Sequence, residues 1–181
     1  MKRIFISLAV ALALLVSAGT SYANPPYKDK ASGSFVSTVI DTNGDGAPGV
    51  FGLLQGTSTF GSVTIHFFSE FDLALAAPSP SCPEGYVEAP VVTSNTIYSY
   101  KNGDLLFFET ASEVFCGNPV TGEFQWYETL DVIGGTGRFT DANGTLEVTG
   151  SGIILISDAL GVTNFGGVSL SAKGKVNLNS E

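Results

Sequence analysis

The sequence predicts an all-β domain, an eight-stranded antiparallel up-and-down barrel, on three observations. Beyond Ala23 no stretch repeats apolar side chains at the three- and four-residue spacing of a helix. Short β-branched and aromatic runs alternate instead with clusters of Gly, Pro, Asn and Asp. These runs number eight, enough to close a meander on itself and remove its free edges. A two-sheet sandwich is the structural alternative.

The first element is not part of the fold. Lys2 and Arg3 precede an apolar run from Ile4 to Val16 broken only by Ser7, and Ser21 and Ala23 stand at small-residue cleavage positions. The run is shorter than the ~20 residues a membrane span needs. Residues 1–23 therefore read as a signal peptide, which predicts a secreted or periplasmic protein. Residues 24–30, with two prolines, read as an unstructured lead-in, and residues 31–181 as the barrel domain.

Strands are expected at 34–40, 52–60, 62–75, 91–101, 104–116, 123–133, 145–157 and 167–178. Asn102-Gly103 separates the fourth from the fifth, and both residues accept the positive φ that a two-residue hairpin turn demands. The runs His66-Phe67-Phe68, Leu105-Leu106-Phe107-Phe108 and Ile153-Ile154-Leu155-Ile156 place apolar side chains on both strand faces. Part of the outer wall then needs cover, either from a second copy of the chain or from a lipid bilayer. An eight-stranded outer-membrane barrel is the second of these. The last residues, Asn177 to Glu181, form no terminal aromatic strand, so a homo-oligomer is expected and membrane insertion is not.

Composition removes several functions. With Lys+Arg 8 against Asp+Glu 17, the chain lacks the clustered bases that nucleic acid requires. One His and two Cys do not suffice for a Cys/His zinc centre. In an oxidising compartment Cys82 and Cys116, each beside a loop signal, are expected to form a disulfide. Closing a loop of that size stabilises by about 3–4 kcal/mol in the chain-entropy model. Asp41-Thr42-Asn43-Gly44-Asp45-Gly46 matches the front half of a calcium loop, but Gly52 occupies the place of the bidentate Glu. It reads as a polar turn, with calcium on Asp41, Asn43 and Asp45 as the alternative. Gly135 to Thr140 starts like a dinucleotide fingerprint but has Thr140 where the third Gly belongs and opens no helix. No Gly-x-Ser-x-Gly elbow exists, and no cofactor is implied. Asn143-Gly144-Thr145 fits a glycosylation sequon, relevant only in a eukaryotic secretory pathway.

The remaining candidates are side chains able to line a cavity. His66 shares a strand face with Phe68, Glu70 and Asp72, and Glu109 shares one with Glu113. Tyr98, Tyr100, Trp126 and Glu128 join them as possible lining. Ligand contact is expected from His66, Tyr98 and Trp126, and any catalytic acid from Glu70 or Glu109.

The segment Gly134-Gly135-Thr136-Gly137-Arg138-Phe139, running into Thr140 to Gly144 and the next strand, resembles the glycine signature of the allene oxide cyclase-like and dirigent-like barrels. Ser32-Gly33-Ser34-Phe35, the turn from Asp41 to Gly46 and the Cys-Pro loop look like those of bacterial exported members. The resemblance implies an eight-stranded barrel of the allene oxide cyclase/dirigent type, with a cavity, often assembled as a trimer. The plant relatives either cyclise a fatty-acid epoxide or steer the coupling of phenoxy radicals. The signature itself carries no catalytic group. Three functions remain: a barrel that binds or steers a small hydrophobic molecule without covalent chemistry, an isomerase or cyclase, and a structural envelope protein.

Overall fold

The structure is a computed structural model and describes residues 25–38, 40–42, 44, 46, 49–157 and 164–178. Residues 1–23, the expected leader, lie outside the described residues, as do Asn43 and Asp45. The described strands are β1 (Tyr27–Ser37), β2 (Val50–Ser58), β3 (Gly61–Phe71), β4 (Val87–Ala89), β5 (Val91–Tyr100), β6 (Leu105–Gly117), β7 (Glu123–Gly135), β8 (Asn143–Ser157) and β9 (Asn164–Asn177). All pairings are antiparallel. β1 pairs with β2, β2 with β3, β3 with β5, and β5 through β9 pair in sequence. β9 returns to β1, with Val36 opposite Phe165 and Lys28 opposite Lys173, so the barrel is closed by eight strands.

Three expectations need correction. β1 begins at Tyr27, so half the anticipated lead-in is ladder-bonded strand between β2 and β9. The third strand stops at Phe71 rather than at residue 75, because the Asp72 carboxylate caps a 3-10 turn over Leu73–Leu75. A ninth strand, β4, lies outside the closed circuit and pairs with the end of β6. Cys82 and Cys116 form the expected disulfide, which ties the β3–β4 connection to that same end of β6.

The circuit is thin at one seam. β5 and β6 pair only from Ile97 to Ser99 with Leu105 to Phe107. Above that, β4 takes the β6 edge from Phe115 to Gly117. Between these ladders the wall carries a cleft bordered by Thr93, Ser94, Thr110 and Glu113.

Alternation sorts the faces. Tyr27, Asp29, Ala31 and Phe35 of β1 point inward and are buried, while Lys28, Lys30 and Ser32 between them are exposed. β7 repeats the pattern with Phe124, Trp126, Glu128, Leu130 and Val132 inward. The two ends differ. At the end holding the β2–β3, β5–β6 and β7–β8 turns, Phe60, Tyr100 and Phe139 pack at centroid distances of 4.9–6.5 Å. Tyr27 packs on Phe60 at 5.6 Å. Arg138 lies over three of these rings, 4.8 Å from Phe139, 5.1 Å from Tyr100 and 5.6 Å from Phe60, with Asp104 at 3.3 Å. Its Nη2 donates to the Phe60 carbonyl at 3.0 Å. The glycine signature builds this plug: Gly134 (φ 118°) and Gly137 (φ 56°) take conformations that L side chains rarely adopt. Among the described residues the other end is open.

Candidate cavity at the open end

The lumen above Ile65, Tyr98, Leu130 and Val148 is a cavity of about 320 Å³. Seven rings line it: Phe35, Phe67, Phe71, Phe115, Phe124, Trp126 and the floor residue Tyr98. They contact one another around the wall, Phe71 with Phe115 at 4.1 Å, Phe115 with Phe124 at 5.6 Å, and Phe124 with Phe35 at 5.4 Å. The cavity stays open because these rings lie over glycines of neighbouring strands. Atoms of Trp126, Phe124, Phe35 and Phe67 occupy the space a Cβ would need at Gly150, Gly152, Gly166 and Gly52. A ring seated on a glycine hugs the wall instead of crossing the lumen.

Two carboxyls interrupt the apolar lining. Glu113 of β6 and Glu128 of β7 are direct cross-strand partners and both face inward. The next pair toward the mouth is Phe115 opposite Trp126. The Thr110 hydroxyl donates to Glu128 Oε1 at 2.8 Å. Glu113 Oε2 is buried with no hydrogen-bond partner among the described residues. Burial pushes Glu113 up to about 7, while burial and then the charge of Glu113 push Glu128 up to about 8. Near neutral pH the two acids hold at least part of a proton between them. Among the described residues no Lys, Arg or His lines the cavity. Beneath the floor, Asp29 accepts from the Tyr27 hydroxyl at 3.1 Å and the Ala172 amide at 2.8 Å, and burial lifts its carboxyl above the ordinary value despite both bonds.

The candidates divide accordingly. Tyr98 and Trp126 line the cavity, and so does Glu128. Tyr100 belongs to the closed end. His66 is on the outer wall, 6.4 Å from the Phe51 ring, and Glu109 is exposed there too. Glu70 is fully buried but outside the lumen, accepting from the Thr42 amide at 2.8 Å and hydroxyl at 2.7 Å, which pins the β1–β2 connection to β3. Neither Glu70 nor Glu109, the carboxylates expected from the sequence to supply a catalytic acid, lines the cavity. Glu113 faces inward because a bulge between Thr110 and Ser112 reverses the alternation after Glu109. Both oxygens of Asp41 accept backbone N–H groups, from Gly44 at 2.6 Å and Gly46 at 2.9 Å, as a polar turn requires. Among the described residues no three His, Cys, Asp or Glu side chains cluster closely enough to hold a metal ion.

The fold and cavity define a closed antiparallel β-barrel, plugged at one end and hollow at the other. No family model matches the chain, and no curated protein matches it in sequence. Two solved chains match in structure. One is the pterocarpan synthase dirigent protein GePTS1, over 86% of this chain and 90% of that one, at 11% identity and a TM-score of 0.22. A likeness that remote carries no argument about activity.

Proposed function

We propose that this protein holds a small apolar or amphipathic molecule in the open half of its barrel, reversibly and without covalent chemistry. The observation that carries the reading is a ring-lined cavity of about 320 Å³ above a lumen that the chain's own side chains otherwise fill. That volume suits a single small guest. Titration with fatty acids, phenolics and an environment-sensitive dye, followed by Trp126 fluorescence, tests it. A saturable signal is expected with at least one apolar probe; no saturation with any of them overturns the reading in favour of a structural role.

The second reading is an isomerase or cyclase, and it is supported by the inward pair Glu113 and Glu128, which line the cavity where Glu70 and Glu109 do not. A carboxyl that keeps its proton near neutral pH can polarise a bound carbonyl or ether oxygen. The disulfide supports an exported protein, since such bonds persist in oxidising compartments. Outside the lumen, Phe68, Phe51, Val36, Phe165 and Ile156 follow one another as cross-strand partners from β3 to β8. That continuous apolar row supports self-association. The polar outer wall below it, with Lys28, Lys30, Gln55 and Lys173, is unlike the apolar band of a membrane barrel.

A further inference from the structure

We propose that the guest is a cation: a lipophilic amine or quaternary ammonium whose charge sits between Glu113, Glu128 and the rings of Phe115 and Trp126. The inference rests on the cavity-binding reading and narrows it. Four residues in two adjacent cross-strand pairs form the site, carboxyl opposite carboxyl and ring opposite ring. Like charges directly opposite each other destabilise a ladder, and buried carboxylates need a compensating partner. Hydroxyls apart, the described residues supply no cationic partner. Every lysine and arginine among the described residues (Lys28, Lys30, Lys101, Arg138, Lys173 and Lys175) lies in the half of the barrel that ends in the plug. His66 is on the outer wall. The groups facing the pair are Ser94 and Tyr98 from β5 and Thr110 from β6, all neutral, with Asp29 beyond Tyr98.

The closed end shows what such a site looks like when filled from within. There the Arg138 guanidinium lies within 4.8–5.6 Å of three ring centroids, with the Asp104 carboxylate at 3.3 Å. The open end repeats the same partners, rings and carboxylates, without the cation. An ammonium entering from the mouth passes no basic side chain among the lining residues and completes both contacts at once. The mouth suits it electrostatically as well, for Asp41, Asp72, Glu84, Glu88 and Glu123 lie in or beside its loops.

The test compares two probes of one shape. Benzyltrimethylammonium and its neutral carbon isostere, neopentylbenzene, are titrated against the full disulfide-bonded protein at pH 9, with Trp126 fluorescence as readout. The cation is expected to bind about tenfold or more tightly than the isostere. In Glu113→Gln/Glu128→Gln that preference is expected to vanish while the isostere binds as before. Two outcomes overturn the cation and leave the cavity reading standing: the isostere binding as well as the cation to the natural protein, or the preference surviving in a folded double variant. Should the double variant fail to fold, the two-probe comparison on the natural protein decides alone. If neither probe binds, the cation is overturned, and the wider probe series tests the cavity reading separately.

Discussion

Glu128 sits where a strand position costs the most for a carboxylate: inward, buried, opposite Glu113 and bonded to one hydroxyl. Its folded value, near 8, stands above its ordinary 4.5, so the folded chain binds protons that the unfolded chain has released. The stabilisation is complete below the unfolded value and is lost as pH rises through the folded one. The ligand-free protein is therefore expected to lose thermal stability from pH 5 to pH 9, by on the order of a few kcal/mol from Glu113 and Glu128 together. Glu128→Gln should flatten much of that slope, and an unchanged slope would mean that the pair is not the origin. Single residues were the hardest part to read in advance. Glu109 and Glu113 share a face under strict period-two counting, and only the bulge between Thr110 and Ser112 separates them. A signal for the correct pair did exist. Glu113 and Phe115 mirror Glu128 and Trp126 across one hairpin, but matching them requires the register of its turn, from Asn118 to Gly122.

Strands and turns were largely legible, because turn chemistry and alternation act locally. Asn102-Gly103 lies in the β5–β6 turn as expected, but the turn is three residues long, closed by the Tyr100 amide on the Asp104 carbonyl, and only Gly103 takes a positive φ, 89°. β4 was not legible, since the three residues between Tyr86 and Pro90 have no pattern of their own and are strand only because β6 offers them an edge. The seating of rings over glycines is likewise a property of neighbouring strands, invisible along any one of them. It gives a test at this scale. Gly150 has ordinary extended backbone, so alanine is conformationally acceptable there, but its methyl would displace the Trp126 indole toward the lumen. Gly150→Ala is expected to keep the barrel folded, judged by far-ultraviolet circular dichroism, and to weaken apolar-probe binding about tenfold, in line with 1–2 kcal/mol of lost packing. Undiminished binding would show that the ring can yield outward.

For the molecule as a whole, eight runs of β-prone sequence were enough to anticipate a closed barrel, since closure alone disposes of every long edge. Which end would be hollow was not accessible in advance, because it depends on Arg138, Phe139 and Phe60 meeting from two separate turns. The apolar row on the outer wall predicts an assembly, and sedimentation at micromolar concentration is expected to report a homo-oligomer; a monodisperse monomer would leave Phe51, Val36 and Phe165, each at least 41% exposed, uncovered. The incomplete seam between β5 and β6 has its own consequence. Ser94 and Glu113 border both the lumen and the cleft in the wall outside it. A guest seated in the mouth stops the front entrance and leaves this side slit clear. If the mouth holds a guest as proposed, hydrogen ions are expected to reach the acidic pair through the slit whether or not the mouth is filled, leaving a corked vessel in acid–base contact with the surrounding water.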